Sequence, residues 1–192
     1  MKKVLIINGH PDPDSYCYAL ANAYKMGALN AGASVETIHI GTLNFNPNLA
    51  FGYSKRTELE PDLLKAIDQI KDADHLVFIH PVWWGSYPAI MKGFIDRVFL
   101  PEIVFRKKEN SLWWEKFLKG KSARIIATMD QPPFYYWLIN GAPSHRSLKQ
   151  QTLKFCGISP VRTTSIGPIR LSTEKFRKAK LEKVKILGLK LI

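Results

Sequence analysis

Short apolar runs alternate with longer amphipathic stretches along the chain. This alternation predicts parallel β-α-β units, because strands covered by helices on both faces appear as nearly continuous apolar runs. Strands are predicted at residues 3–8, 34–40, 75–80, 123–129 and 161–166. Helices are predicted at residues 15–30, 61–71, 88–99 and 147–155, and a last one begins after Ser172. The predicted fold class is α/β, a doubly wound five-stranded parallel sheet with helices on both faces.

The loops after the first and third predicted strands carry the most unusual residues. Residues 9–15 read Gly-His-Pro-Asp-Pro-Asp-Ser, and residues 81–85 read Pro-Val-Trp-Trp-Gly. In the sheet order 2-1-3-4-5 these two strands are neighbours where the strand order reverses, so their loops would form the walls of one ligand crevice. The competing dinucleotide-binding fold requires Gly-x-Gly-x-x-Gly after the first strand, and that sequence is missing.

Composition narrows the class of protein. The 192 residues, 46% of them hydrophobic, suffice for one core and predict a single domain over residues 1–192. Two cysteines, Cys17 and Cys156, are too few for a disulfide framework or a zinc site and favour the reducing cytoplasm. The net charge is +12, but glutamates interrupt the basic clusters and no nucleic-acid-binding motif accompanies them, so no nucleic acid partner is expected.

The start of the first helix has its own candidate chemistry. Ser15 offers a hydroxyl there, and Tyr16 and Cys17 offer unpaired backbone N–H groups, which together suit an anion such as phosphate. Ser15 could equally cap its own helix, since acidic residues nearby disfavour an anion. His10 could donate to a phosphate oxygen or satisfy a backbone carbonyl, and the residue alone favours the second interpretation.

A long block after the third strand carries a family resemblance. Residues 81–84 (Pro-Val-Trp-Trp), 88–89 (Pro-Ala) and 92–99 (Lys-Gly-Phe-Ile-Asp-Arg-Val-Phe) match a signature that chance rarely produces. Weaker agreement comes from His10 and from residues 15–19, 44–47, 155–157 and 165–167. The chain thereby resembles the NAD(P)H:quinone oxidoreductase family of flavodoxin-like flavoproteins, the group with DT-diaphorase, modulator of drug activity B and ancillary proteins of potassium-efflux systems.

The resemblance implies a flavin at the carboxyl edge of the sheet, FAD with FMN as the alternative, and NAD(P)H as cosubstrate. The phosphate groups would lie near His10, Ser15, Tyr16, Cys17 and Ala19. The ring would lie against Pro81, Val82, Trp83, Trp84, Gly85, Thr128, Met129 and Asp130. Family members are mostly homodimers, so exposed aromatic residues would cover a neighbour: Trp113, Trp114, Phe134, Tyr135 and Trp137. Asp96 and Arg97 are expected to anchor the third helix and not to touch substrate.

The loop after the fourth strand departs from the family pattern. Where the family has Thr-Gly-Gly, residues 128–133 read Thr-Met-Asp-Gln-Pro-Pro. The loss of both glycines restricts the backbone φ angles, and the two prolines remove backbone N–H donors. The carboxylate of Asp130 would also repel a reduced, anionic ring. The catalytic tyrosine of the family has its counterpart in Tyr136, or else in Tyr135. The histidine expected six residues later is replaced by Ala142, so His145 either takes that role or caps the next helix.

Two functions remain at this point. The resemblance implies an enzyme that passes hydride from NAD(P)H through flavin N5 to a quinone or similar acceptor in a ping-pong sequence. The altered fourth loop and the basic surface leave an alternative, a regulatory flavoprotein or flavin-free subunit that docks on a membrane transporter or another partner.

Overall fold

The computed structural model describes residues 1–191. Its strands are β1 (Lys3–Asn8), β2 (Ser34–His39), β3 (His75–Pro81), β4 (Phe105–Lys107), β5 (Trp114–Lys116), β6 (Ser122–Thr128) and β7 (Val161–Ile166). Five of them form a parallel sheet in the order β2-β1-β3-β6-β7, while β4 and β5 pair as a separate antiparallel hairpin. Counted within the main sheet, the order is 2-1-3-4-5, so the predicted topology is confirmed. The hairpin was not predicted.

The helices are α1 (Tyr16–Asn30), α2 (Pro61–Asp72), α3 (Ala89–Val98), α4 (Pro133–Leu138), α5 (Pro143–Arg146) and α6 (Glu174–Leu189). The prediction of one helix at residues 147–155 was wrong in start and type, because α5 comes first and a π-helix (Ser147–Leu153) continues it. The short helix α4 was not predicted either, since two prolines and a run of aromatic residues hide any helical period.

Alternate residues of the strands enter two separate cores. Val4 and Ile6 of β1 pack with residues of α1 and α6, while Leu5 and Ile7 pack with residues of α2 and α3. The helices therefore cover both faces of the sheet, as the near-continuous apolar strands require. Within residues 1–191, no helix is long and apolar enough to cross a membrane.

The segment between β2 and α2 packs on α3 through the block that carries the resemblance. A methyl group at Gly93 would overlap Pro47, so glycine is needed for this close approach. The buried Arg97 donates to the carbonyl oxygens of Asn46 and Glu58 and pairs with the carboxylate of Glu60 at 2.8 Å. Arg97 thus anchors α3, as expected, to the segment between β2 and α2.

The close crossing of α1 and α6 gives a first testable prediction. A methyl group at Gly27 would overlap the carbonyl oxygen of Lys185. Gly27→Ala should therefore lower the free energy of unfolding by about 1–3 kcal/mol, although alanine favours the helix more than glycine does. Urea unfolding measures the change. Asn22→Ala, on the exposed face of α1, is the control and should change stability little; equal stability of both variants would contradict the close crossing.

Candidate active site

A cavity of about 310 Å³ opens where β1, β3 and β6 end. The first two of these strands end side by side, since Asn8 pairs with Ile79 and the N–H of Gly9 donates to the Ile79 carbonyl at 2.8 Å. The cavity is lined by His10, Asp12, Ser15, Tyr16, Cys17, Pro81, Val82, Trp83, Thr128, Met129, Asp130 and Ile169. The structure therefore brings together the three loops that the sequence singled out.

Three predicted cofactor-binding residues, Ala19, Trp84 and Gly85, do not line this cavity. Two lining residues were not predicted. Asp12 stands in the loop after β1, so its position was a usable signal, but Ile169 follows β7 and nothing in the sequence marks it. A larger cavity of about 450 Å³ lies between α3 and the π-helix, and no predicted cofactor residue lines it. We assign the site to the smaller cavity because its polar groups converge.

The start of α1 offers unpaired donors to the cavity. Ser15 is the N-cap residue, yet its hydroxyl makes no capping hydrogen bond, and this buried Oγ has no partner among residues 1–191. The N–H groups of Tyr16 and Cys17 also lack an acceptor there. The capping interpretation of Ser15 is therefore not supported. A hydroxyl and two N–H groups at the N-terminus of a 15-residue helix fit a phosphate group.

His10 is a neutral donor at the same cavity. Its Nδ1 accepts a hydrogen bond from the N–H of Asp12 at 3.0 Å, which leaves the proton of the neutral ring on Nε2. Burial lowers the pKa of His10, although the charge of Asp12 acts in the opposite direction. The ring also meets the edge of Trp83, with centroids 5.4 Å apart. The backbone group that His10 satisfies is thus an N–H and not a carbonyl, so Nε2 stays available to a ligand.

Two N–H groups of the loop after β3 already have acceptors within the protein. The N–H of Val82 donates to the Thr128 carbonyl at 2.7 Å, and that of Trp83 donates to the Ser86 carbonyl at 2.8 Å. Trp84 and Gly85 have left-handed φ values of 50° and 77°, and their N–H groups have no acceptor within residues 1–191. The donors left for a ring edge in this loop therefore belong to Trp84 and Gly85.

The altered loop after β6 is fixed to the segment that follows β7. The carboxylate of Asp130 accepts the N–H of Arg170 at 2.9 Å, and the carbonyl of Met129 accepts the N–H of Ile169 at 3.0 Å. The charge of Asp130 thus has a hydrogen-bond partner in the segment that follows β7. The substitution of both family glycines leaves the cavity open, because the new side chains line it without filling it.

Cys17 lies under the cavity next to Thr128. Its Sγ is 3.5 Å from the Thr128 Oγ1, and the residue is buried. Burial raises the pKa of the Cys17 thiol to about 11, and the hydrogen bond with Thr128 offsets this only in part. The sulfur is therefore a neutral thiol at pH 7 and not an activated nucleophile.

The two candidate catalytic residues lie beside the cavity and not in it. Tyr136 is fully buried, and its hydroxyl contacts the Ser144 Oγ at 2.6 Å and the Gly85 carbonyl at 3.4 Å. His145 is 1% exposed and its Nε2 is 2.8 Å from the Ser165 Oγ. It lies inside α5, whose N-cap is Ala142, so it does not cap that helix. Direct contact of either residue with a substrate stays a prediction.

Exposed apolar residues surround the same edge of the molecule. Trp84 is fully exposed, and large parts of Phe134, Tyr135, Trp137, Leu138 and Ile139 are also exposed. Trp113 is exposed too, whereas Trp114 stacks on Phe155 and donates its indole N–H to the Phe155 carbonyl. Packing within the chain therefore accounts for Trp114 and for part of Trp137, which stacks on His145 and donates to the Ser165 Oγ. No cluster of metal-binding side chains occurs in the part of the chain that the structure describes.

Comparisons with known proteins agree with this geometry. Residues 2–186 match the family described as having the flavodoxin-like fold (Flavodoxin_2). The crystal structure of Smu.1420 from Streptococcus mutans superposes with a TM-score of 0.86 at 34% identity, over 98% of this chain and 99% of that one.

Two relatives span most of the sequence. An uncharacterized NAD(P)H oxidoreductase of Haemophilus influenzae is 28% identical over 93% of this chain and 90% of its own length. A ribosyldihydronicotinamide dehydrogenase [quinone] of Mus musculus is 26% identical over 94% of this chain and 87% of its own length. The chain therefore belongs to the family with the flavodoxin-like fold, and these two relatives are named as an NAD(P)H oxidoreductase and a quinone dehydrogenase.

Proposed function

We propose that the protein is a flavin-dependent NAD(P)H oxidoreductase that reduces a quinone or a similar small acceptor. The observation that supports this most is the cavity between the ends of β1 and β3, where the Ser15 hydroxyl and two helix N–H groups lack partners. A bound flavin would accept hydride from NAD(P)H and deliver it to the acceptor. Because both substrates would use one pocket in turn, the kinetics should be ping-pong.

Different residues would bind the phosphate and the ring of the flavin. The start of α1 would hold the phosphate, and the neutral His10 would add its Nε2–H donor without adding charge. A ring that extends beyond the cavity lining would meet the unpaired N–H groups of Trp84 and Gly85, where fixed dipoles stabilise negative charge without reorganisation. We propose FAD as the flavin, with FMN as the alternative, because the loop after β1 resembles that of FAD-binding family members.

We further propose a cytoplasmic homodimer. Exposed aromatic residues beside the cavity, with Trp84 fully exposed, suit a face that a second copy covers. Both cysteines are buried free thiols, which suits a reducing compartment.

Anaerobic titration of the purified protein tests the proposed function. The preparation should be yellow or take up FAD or FMN, bleach with NADH or NADPH, and regain its colour when a benzoquinone is added. Steady-state rates at varied donor and acceptor concentrations should give parallel double-reciprocal lines. A protein that stays colourless with both flavins would overturn the proposal.

A regulatory role on a membrane partner is the second candidate function. The net charge of +12 and the exposed Trp84 favour it, because both suit a docking surface. It predicts slow turnover by the isolated protein and faster turnover with the partner. Rapid quinone reduction by the isolated protein would argue against it.

A further inference from the structure

Three side chains lie in a row across the carboxyl ends of β3, β6 and β7. The sheet register pairs His80 with Ala127 and Ala127 with Ser165, so all three side chains lie on one face. The outer two strands are about 9–10 Å apart, since neighbouring strands are spaced by about 4.8 Å. The small Ala127 therefore leaves room above it for a ring. His145 approaches this row from the Ser165 end, with its Nε2 2.8 Å from the Ser165 Oγ.

Each of the two histidines has one nitrogen without a partner. His80 and His145 are 0% and 1% exposed, and neither the Nε2 of His80 nor the Nδ1 of His145 has a hydrogen-bond partner within residues 1–191. Burial lowers the pKa of both rings to about 4, and the charge of His80 lowers the pKa of His145 further. Each of these buried nitrogens needs a hydrogen-bond partner, and one water that reaches both would satisfy them together.

The hydrogen bonds at both ends fix where the protons lie. A carbonyl only accepts, so the Nδ1 of His80 donates to the Pro81 carbonyl at 3.0 Å, and its Nε2 is an acceptor. At the other end, the indole N–H of Trp137 donates to the Ser165 Oγ at 3.2 Å. The hydroxyl proton of Ser165 then has one remaining contact, the Nε2 of His145. The proton of the neutral His145 ring therefore lies on Nδ1, which makes this nitrogen a donor.

We propose that one buried water accepts from the Nδ1 of His145 and donates to the Nε2 of His80. It would complete a hydrogen-bond chain from Trp137 through Ser165 and the two histidines to the Pro81 carbonyl. In this chain His145 acts as a positioning residue, because it reaches the loop after β3 through the water, His80 and the Pro81 carbonyl. The water site stands on the geometry alone, while the positioning role rests on the proposed flavin function.

The tautomers of the two histidines test the water site in the full-length protein. Long-range proton–nitrogen NMR correlations of the nitrogen-15-labelled protein at pH 7 should show both His80 and His145 neutral and protonated on Nδ1. His80→Leu should shift the Nδ1 proton signal of His145 and speed its exchange with solvent. A His145 ring protonated on Nε2 in the wild-type protein, or a signal insensitive to His80→Leu, would overturn the proposal.

His75 provides a matched control on the same strand. It is also buried, but both of its nitrogens are paired, with the Tyr24 hydroxyl at 3.0 Å and the Ser122 Oγ at 2.8 Å. His75→Leu should leave the His145 signal unchanged. If a leucine at position 80 prevents folding, the tautomers of the wild-type protein and a high-resolution crystal structure still decide the matter. Electron density for one water between the two rings is expected, and an empty gap would refute it.

Two amide substitutions at His145 test whether its hydrogen bonds, and not only its bulk, affect flavin binding. His145→Asn keeps a polar group where Nδ1 faces the water, while His145→Gln keeps one where Nε2 faces Ser165. The Asn variant should keep the flavin dissociation constant within about twofold, and the Gln variant should raise it about fivefold, which corresponds to one lost hydrogen bond. Equal values for both variants would refute the positioning role. If no variant binds flavin, the proposed function fails while the NMR test of the water site still stands.

Discussion

Replacing Ser15 with aspartate is expected to abolish flavin binding while leaving the fold at least as stable as before. Aspartate is as good an N-cap residue as serine, and its charge suits the N-terminus of α1, so the helix should not suffer. The same carboxylate would stand where the phosphate of the flavin is proposed to bind. Two like charges about 4 Å apart repel by about 4 kcal/mol at a partly exposed site, which corresponds to a loss of affinity on the order of 1,000-fold.

Fluorescence titration with FAD and FMN would measure the affinity, and thermal unfolding of the flavin-free protein would measure stability. Thr173→Asp is the matched control, because Thr173 caps α6 and does not line the cavity. It should leave the flavin affinity unchanged. Ser15→Ala removes only the unpaired hydroxyl and should weaken binding by about fivefold. Tight flavin binding by the Ser15→Asp variant would show that the phosphate does not bind at the start of α1.

The sheet and the position of the cavity could be predicted because both depend on local sequence. Apolar runs mark buried parallel strands, and loops after parallel strands meet at one edge, so the unusual residues around His10 and Trp83 indicated a shared crevice. The hairpin of β4 and β5 escaped prediction because each strand has three residues, too few for a period to show.

The use of individual polar groups could not be predicted from the sequence. The N–H groups of Val82 and Trp83 are satisfied by Thr128 and Ser86, and only the folded loops reveal that they are not free. The contact of His145 with Ser165, 20 residues away in the chain, is likewise visible only in the folded protein. A signal did exist at His80, because a histidine inside an apolar run that forms a central strand needs a hydrogen-bond partner.

Arg97→Leu should destabilise the protein by about 3 kcal/mol, because it removes the hydrogen bonds from one buried guanidinium to three acceptors, each worth about 1 kcal/mol. The Arg97 side chain is 1% exposed, and it serves the carboxylate of Glu60 and the carbonyl oxygens of Asn46 and Glu58. Leucine fills part of the space but donates nothing. Urea unfolding at pH 7 measures the loss.

The pH dependence of this loss identifies the ion pair as its cause. Burial raises the pKa of Glu60, but hydrogen bonds from the N–H groups of Asn46 and Glu60 and from Arg97 outweigh it, so the pKa is lowered. A lowered carboxyl pKa stabilises the fold fully above the unfolded value of about 4.3, and the contribution disappears as the pH falls through the folded value. The difference between wild type and Arg97→Leu should therefore shrink on acidification.

The surface pair of Lys92 and Asp96 on the same helix is the control for Arg97. These side chains are 55% and 31% exposed, so Lys92→Ala should cost below about 0.5 kcal/mol at any pH. Arg97→Lys keeps the charge but loses the planar fork that reaches three acceptors, and its stability should lie between those of wild type and Arg97→Leu. An Arg97→Leu variant as stable as Lys92→Ala would mean that apolar packing holds the segment between β2 and α2 against α3. The contact between Gly93 and Pro47 would then be the main anchor.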